Sequence, residues 1–380
     1  MKSWLTYICL FVGCILTITS CSSEADFDVS TDETSVELTL SYSGDGPMSR
    51  DVGSPDEKLD YTTTAQCALD VNDIFVLAFE QSNGTLTLLD IVKDLQLTKA
   101  NNDYTWTIKG RMPQQGANKT IRFAVLTNLT QNGVVIDEKA LDTKAAVETA
   151  LVGMIGDTDS EIYEKLVYNY NASQGKWVIE NRRIPMWGIS EATHLNQSEI
   201  NLPPMDLYRA VAKVQIWVNN KQGIAGPDGQ SGTDDDFIIT NIVVNNANAQ
   251  GYCVSKETPD QAIDVQYEAA SVPNNVAKQN AITYTPTGNA ARQAYSDLIY
   301  LPEQINTNTD AITITINYTY NKEPMVGTIE FKENGVGNRF DVIRNYSYIF
   351  NINKISEVTG KVYYVVDQWD NETIDIPPFK

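Results

Sequence analysis

The sequence predicts an all-β protein built from two β-sandwich domains with short helical insertions. Segments of alternating apolar and polar residues, rich in Val, Ile, Thr and Tyr, recur along the chain, and turns rich in Asn, Gly, Asp and Pro separate them. Helical periodicity is confined to short segments, which argues against a parallel α/β fold. The length of 380 residues favours two domains.

The predicted strands fall into two series. The first series opens with SVELTLSY at 35–42, where Val36, Leu38, Leu40 and Tyr42 share one face because side chains alternate along a strand. The other strands of this series are predicted at 73–79, 85–92, 104–110 and 120–128. The strands of the second series are predicted at 206–218, 236–247, 311–320, 326–332, 346–355 and 361–369.

Two segments between strands have other patterns. Helix formers in DEKALDTKAAVETALV predict a helix over 137–152, and residues 161–166 predict one further helical turn. The polar segment 189–204 carries a Pro pair and lies between the two series, which places the domain boundary near residue 200. We therefore expect one sandwich over 51–200 and a second over 201–380.

Residues 1–20 are predicted to form an export signal. Residues 1–20 hold one lysine and then an apolar run that is too short and too weakly flanked for a stable membrane span. Cys21 follows small residues at the end of this run, an arrangement that resembles the lipobox of bacterial lipoproteins, in which the cysteine is lipidated. Acyl chains contribute about 0.8 kcal/mol of membrane binding per buried methylene. The alternatives are an ordinary secretory signal and an uncleaved signal anchor.

Composition excludes several functions. The net charge of −21 repels phosphate backbones, so nucleic acid is not an expected partner. His194 is the only histidine of the sequence, which excludes histidine-based triads and multi-histidine metal sites. The common nucleophile-elbow, phosphate-loop and zinc-protease motifs are missing from the sequence. We expect no catalytic residue, cofactor or metal; a glycosidase-type carboxylate pair stays open, because its spacing is invisible in sequence.

Three further features each have two interpretations. Cys67 and Cys253 are two buried thiols or one disulfide. The Asp-rich loop, residues 226–237, gathers carboxylates from Asp228 to Asp236 and is a Ca²⁺ site or a solvated hairpin loop, although it lacks the EF-hand order. Tryptophans within strands form an exposed sugar-binding platform or part of the core: Trp106, Trp187, Trp217 and Trp369.

Several strings along the chain resemble the fimbrillins, the type V pilus subunits of certain Gram-negative bacteria. They span nearly the whole chain and occur in the family's order. Each is modestly specific, and the set is strong. The strings are SVELTLSY, VNDIFVLAFEQSNG, AVLTN, DLYRAVAKVQIWV, IYLPEQ, VIRNYSYIFNINKI and YYVVDQWDNETIDIPPFK.

This resemblance implies a structural, non-enzymatic protein. Fimbrillins have two transthyretin-like sandwich domains and reach the outer membrane as lipoproteins. A trypsin-like protease cuts them after a basic residue, and they polymerise when a strand of one copy replaces the first strand of another. The resemblance implies a propeptide over 21–50, and partners that are copies of the chain or related subunits, the protease and the outer membrane.

Individual residues fit these roles. Arg50, followed by Asp51, lies in GDGPMSRDVGSPDE and is the first basic residue after Lys2, so cleavage there removes the strand with Val36 and its neighbours. The alternative is a plain surface arginine. The candidate donor strand lies at the C-terminal end, where the groove-filling residues are Val362, Tyr364, Val366, Ile374 and Ile376. The alternative is that they complete the second domain's own sheet.

The predicted function is a subunit of a cell-surface fimbrium that supports adhesion and biofilm formation. The fimbrium is extracellular, and its precursor is anchored in the outer membrane by lipid. Three alternatives stay open: an uncleaved anchor subunit, a tip subunit, and a monomeric outer-membrane lipoprotein that binds glycan or another ligand.

Overall fold

A computed structural model confirms the all-β prediction. It describes residues 33–42, 69–99, 105–115, 119–136, 138–170, 183–195, 199–218, 225–255, 272–273, 276–286, 294–306, 309–332, 338–345, 347–352, 354–355 and 362–363. Most of these residues lie in strands, and within these ranges no helix is long and apolar enough to span a membrane.

The strands, in chain order, are β1 Glu33–Tyr42, β2 Ile74–Ser82, β3 Thr85–Lys99, β4 Trp106–Pro113, β5 Lys119–Thr127, β6 Val134–Ile136, β7 Lys139–Leu141, β8 Val167–Asn169, β9 Met186–Ile189, β10 Thr193–Leu195, β11 Glu199–Asn201, β12 Met205–Arg209, β13 Val211–Val218, β14 Ile238–Asn245, β15 Gln250–Tyr252, β16 Ile282–Tyr284, β17 Ala294–Pro302, β18 Thr313–Tyr320, β19 Glu323–Glu330, β20 Ser347–Ile352, β21 Lys354–Ile355 and β22 Val362–Tyr363.

In the described part, nine strands form a sheet that folds back on itself. Its order is β10-β5-β2-β3-β4-β1-β12-β9, with β11 also paired to β1 and β9 paired to β5. β3 pairs first with β2 and then with β4, and it bends where its register shifts around Asp94, whose φ is +53°. β12 pairs first with β1 and then with β9. These two strands join the two layers of the sandwich.

Later strands form two smaller sheets. One has the order β17-β13-β20 and the other the order β16-β14-β18-β19. Aromatic side chains pack in their interior: Phe331 lies 5.1 Å from Phe350 and 5.3 Å from Tyr348 between ring centroids, and Phe237 lies 4.5 Å from Tyr318. β21 and β22 pair with each other.

A further sheet joins the two halves of the sequence. Its order is β15-β8-β6-β7, so that β15, from the second half, pairs with β8 from the first. The buried Tyr168 hydroxyl on β8 donates a hydrogen bond to the Ala210 carbonyl oxygen at 3.0 Å. The described residues belong to one compact unit. The division into domains near residue 200 stays a prediction.

The two α-helices of the described residues are α1 Lys144–Val152 and α2 Asp159–Lys165. α1 begins where the Thr143 hydroxyl accepts a hydrogen bond from the amide of Ala146. α2 begins with a capping box between Thr158 and Glu161. The prediction of a helix over 137–152 is wrong in its first part, because Lys139–Leu141 forms β7 against β6.

Two predicted connections also differ from the structure. The run predicted as one strand over 206–218 is two strands that meet at Ala210, because β12 pairs with β1 and β9 whereas β13 pairs with β17 and β20 in another sheet. The polar segment 189–204, predicted as a linker, contributes β10 to β5 and β11 to β1. Short polar strands of this kind carry too few residues for an alternation signal.

A buried ion pair holds the loops around β15. Arg344 Nη2 lies 2.7 Å from Glu303 Oε2, and the two side chains are 0% and 1% exposed. The guanidinium also donates to the carbonyl oxygens of Tyr252 at 2.9 Å and Cys253 at 3.3 Å. These hydrogen bonds compensate for the burial of the guanidinium. Because Glu303 is buried as well, removal of Arg344 would leave the Glu303 carboxylate as an uncompensated charge in the interior.

Asp73 fixes the turn that precedes β2. Its Oδ2 accepts hydrogen bonds from the amides of Thr130 at 2.9 Å and Gln131 at 3.4 Å, and the Asn128 amide donates to its carbonyl oxygen at 2.8 Å. Burial raises the pKa of the Asp73 carboxyl, and this outweighs the lowering by its hydrogen bonds.

We predict that Arg344→Leu lowers the free energy of unfolding by about 3–5 kcal/mol, because it leaves the Glu303 carboxylate buried without an opposite charge. Denaturant unfolding measures the loss. The matched control is Arg339→Leu, which removes an ion pair to Glu330 of 2.6 Å whose side chains are 31% and 28% exposed. The control should lose no more than about 1 kcal/mol. Equal losses would contradict the assignment of Arg344 to the interior.

We predict that Asp73→Asn changes how stability depends on pH. A raised pKa in the folded state means that the group stabilises the fold below its unfolded pKa, and that this contribution is lost as pH rises through the folded pKa. The stability of the variant relative to wild type should therefore rise as pH increases from about 4. Urea titrations at several pH values test this, and a constant difference would refute it.

Candidate functional site

The candidate site is the β1 groove, which consists of the inward face of β1 and the residues around it. β1 is a central strand: it pairs antiparallel with β4 from Glu33 to Leu40 and parallel with β11 and β12 on its other side. It is the first strand of the described chain. Its removal would therefore expose two strand edges at once without breaking the chain between the remaining strands.

The inward face of β1 lies in the core. Val36, Leu38 and Leu40 are each 1% exposed, and the backbone of Tyr42 pairs with Leu207. The surrounding apolar side chains belong to both neighbouring edges: Ile108 and Met112 on β4, and Ile200, Met205 and Leu207 on β11 and β12. Each inward side chain contributes about 1.5–3 kcal/mol through burial.

Gly110 on β4 has no side chain, which leaves room for β3 to pass close to the β4 backbone. It lies opposite Val36 in the β1–β4 register. A Cβ at this position would lie 2.5 Å from Val92 Cγ1 and 2.7 Å from Leu95 Cδ2, both from the part of β3 that bends. The absence of a side chain on Gly110 therefore allows β3 to cover this end of the groove.

The outward face of β1 is charged. Lys109 Nζ lies 3.2 Å from Glu37 Oε2, and Arg111 Nη1 lies 3.4 Å from Glu33 Oε2. Arg111 also pairs with Asp94 at 2.5 Å. All these side chains are at least 30% exposed, so each pair adds little to stability. Opposite charges across strands nevertheless favour one register over its neighbours.

The processing residues lie outside the described residues. Cys21 precedes β1 in the sequence, and Arg50 and Asp51 follow it. β1 ends at Tyr42, so seven residues lie between it and Arg50. Lipidation and cleavage at these positions stay predictions.

The candidate donor strand is described only at its start. Val362 lies in β22, where its backbone pairs with Ile355 of β21. Tyr364, Val366, Ile374 and Ile376 lie outside the described residues. The assignment of the donor strand stays a prediction.

Other residues singled out in the sequence have structural surroundings. Trp187 is 0% exposed and lies 6.0 Å from Tyr163 between ring centroids, so it belongs to the core. Trp106 is partly buried beside the Lys99 ammonium group. Only the backbone of Trp217 is described, and Trp369 lies outside the described residues. His194 Nδ1 lies 3.2 Å from the Thr120 hydroxyl on β5.

The Asp-rich loop uses its carboxylates to hold its own backbone. Asp236 accepts from the amides of Gly226 at 3.1 Å and Gly232 at 2.6 Å, and Asp228 accepts from Gln230 at 2.8 Å. The Thr233 hydroxyl donates to Asp235 and is the main cause of the lowered pKa of that carboxyl. The described residues contain no group of three potential metal ligands.

Cys253 is a free, buried thiol, and burial raises its pKa to about 12. Cys67 lies outside the described residues. The structure therefore places one of the two cysteines in the core as an unreactive thiol.

Sequence reasoning missed half of the groove. The inward residues follow from alternation, but Gly110, Lys109 and Arg111 become relevant only through the register of β4 against β1. Of the parallel wall, β11 lies in the segment predicted as a linker, whereas β12 lies in the run predicted as a strand over 206–218 without its partner β1. A cross-strand register joins residues far apart in sequence, and no local pattern of one strand encodes it.

Comparison with known proteins identifies fimbrial proteins among similar structures. No protein-family model and no curated protein matches the chain. A fimbrial assembly protein from Parabacteroides distasonis ATCC 8503 is 13% identical, with 88% of this chain and 95% of that chain covered and a TM-score of 0.48. The fimbrial anchor protein Mfa2 from Porphyromonas gingivalis is 13% identical, with the same coverages and a TM-score of 0.31.

We predict that Leu38→Ala lowers the free energy of unfolding of the intact chain by about 2–5 kcal/mol, because it leaves a cavity in the β1 groove. The matched control is Thr39→Ala, the next residue along β1, whose side chain points to the opposite face. Its loss should stay near 0.5 kcal/mol. Similar losses in denaturant unfolding would contradict a buried inward face.

Proposed function

We propose that this chain is the precursor of a fimbrial subunit in which β1 is a removable strand. The observation that carries the proposal is the position of β1: the first described strand is central in its sheet, with Val36, Leu38 and Leu40 each 1% exposed. Export as a lipoprotein through Cys21 and cleavage between Arg50 and Asp51 by a trypsin-like protease complete the maturation.

The energetics favour replacement of β1 over its simple loss. Three inward side chains at about 1.5–3 kcal/mol each contribute roughly 5–9 kcal/mol. That is comparable with the whole stability of an ordinary domain, about 5–15 kcal/mol. A subunit without β1 is therefore marginally stable until another strand fills the groove.

A strand from another copy replaces both the main-chain hydrogen bonds and the apolar side chains that β1 supplied. Its backbone pairs with the exposed edges of β4 and of β11 and β12, and its alternate side chains refill the apolar sites. In this proposal the donor comes from the C-terminal segment that follows β22. Repetition of the exchange from copy to copy builds a filament on the cell surface, which supports adhesion and biofilm formation.

The second candidate is an anchor or tip subunit that keeps β1. The observation that favours it is the extent of β1 pairing, which includes both neighbouring edges and ion pairs from Glu33 and Glu37. Such a subunit accepts no donor strand and ends a filament. The third possibility, a glycan-binding monomer, loses Trp187 as a platform residue because that side chain is buried.

We predict that trypsin treatment of the folded precursor produces a chain that begins at Asp51 and forms SDS-resistant multimers. Arg50→Gln should remain an intact monomer under the same treatment. Because release of β1 precedes exchange, Leu38→Ala should assemble at least about tenfold faster than Thr39→Ala. N-terminal sequencing and unheated SDS gels measure both steps.

Three outcomes would count against this proposal. Cleavage elsewhere would refute the assignment of Arg50. Release of β1 without multimers at high protein concentration would refute strand exchange and favour the anchor or tip role. Equal assembly rates for Leu38→Ala and Thr39→Ala would refute release of β1 as the step that opens the groove.

A further inference from the structure

The ion pair between Glu37 and Lys109 occupies a specific kind of cross-strand position. The Leu202 amide donates to the Glu37 carbonyl oxygen at 3.1 Å, so the backbone of Glu37 bonds towards the β11 side. Against β4, Glu37 and Lys109 are therefore a directly opposite pair without hydrogen bonds between their own backbones. In antiparallel sheets such pairs bring side chains closest together.

Loss of β1 changes the charge along the exposed edge of β4. Lys109 loses Glu37, while Arg111 loses Glu33 and keeps Asp94. On the other wall, the residue opposite position 37 is the neutral Asn201. The open groove therefore presents a lysine at the position that Glu37 faced, in a chain whose net charge is −21.

The C-terminal segment has the complementary charge. Residues 367–375, DQWDNETID, hold four acidic residues and neither lysine nor arginine. An acidic strand is attracted to the β4 edge and repelled by most of the remaining surface. This favours the C-terminal segment as the occupant of the groove.

One tripeptide of that segment repeats the pattern of β1. In Val36-Glu37-Leu38 an acidic residue lies between two apolar ones, and Ile374-Asp375-Ile376 has the same arrangement. If the two isoleucines point into the sites of Val36 and Leu38, Asp375 points outward beside Lys109, because side chains alternate along a strand. The pattern is the same from either end, so this match holds for both strand directions.

We propose that Lys109 sets the register of the incoming strand by pairing with Asp375 of another copy while Ile374 and Ile376 fill the sites of Val36 and Leu38. This inference rests on the proposed function. A one-residue slip would put Asp375 into the apolar groove and both isoleucines into solvent, so the ion pair and the apolar sites select the same register.

A charge exchange tests the pair. After removal of residues up to Arg50, Lys109→Glu and Asp375→Lys should each assemble about three- to tenfold more slowly than wild type, and the double variant should recover to within about twofold. The reduction of the assembly rate in the single variants should become smaller at roughly 0.5 M salt, because salt screens exposed charge pairs. A folding defect would not respond to salt in this way.

The matched control is Lys139→Glu combined with Asp375→Lys. Lys139 is an exposed lysine on β7, in a different sheet, so this combination restores net charge without restoring the pair. It should assemble as slowly as Asp375→Lys alone. Recovery in this control would reduce the effect to net charge and overturn the proposal, as would failure of the Lys109→Glu, Asp375→Lys double variant to recover while wild type assembles.

A disulfide measures the contact directly. In a Cys67→Ser background, Lys109→Cys with Asp375→Cys should cross-link copies under oxidation, because a closely spaced cross-strand pair suits disulfide geometry. Lys109→Cys with Thr373→Cys places the second thiol one outward position away and should cross-link less. If the copies assemble but the Lys109→Cys, Thr373→Cys pair cross-links more than the Lys109→Cys, Asp375→Cys pair, the proposed register is wrong. If wild type itself does not assemble after cleavage, the proposed function fails before the register is at issue.

Discussion

The constraint on which this structure depends is that a central strand must have partners on both edges. β1 supplies hydrogen bonds to β4 on one side and to β11 and β12 on the other, and it fills the apolar sites between them. The strand that completes the sheet comes from the N-terminal part of the chain and is joined to the other strands through one connection. It is essential to the sheet and also the easiest strand to detach.

Local pattern predicted the fold class and the inward face of β1, because alternation along a strand depends only on neighbouring residues. It failed where long-range pairing decides the structure. Lys139–Leu141 contains helix formers but pairs with β6, and the run 206–218 divides at Ala210 because β12 and β13 pair with strands of different sheets. For the same reason the sequence predicted Val36, Leu38 and Leu40 but not their partners Gly110 and Lys109, which the register of β4 brings to the site.

The strings that resemble fimbrillins have physical roles in this fold. Glu303 lies in IYLPEQ and Arg344 in VIRNYSYIFNINKI, and together they form the buried ion pair beside β15. Asn128 ends AVLTN with φ +60°, and its side-chain amide donates to the Ile184 carbonyl oxygen at 2.8 Å. These residues join loops that are distant in sequence, a role that apolar residues of similar size do not perform.

The two walls of the β1 groove run in opposite senses, since β1 is antiparallel to β4 and parallel to β11 and β12. A guest strand inserted head-first or tail-first therefore meets one wall of each sense, and main-chain pairing distinguishes the two insertions only weakly. Polarity of a filament built this way must come from features at the ends of the guest. Pro377 and Pro378 are one such feature, because neither ring nitrogen donates to a ladder, and with Ile374 and Ile376 in the sites of Val36 and Leu38 they would lie opposite Thr107 and Trp106 of β4 in one orientation and opposite Arg111 and Met112 in the other.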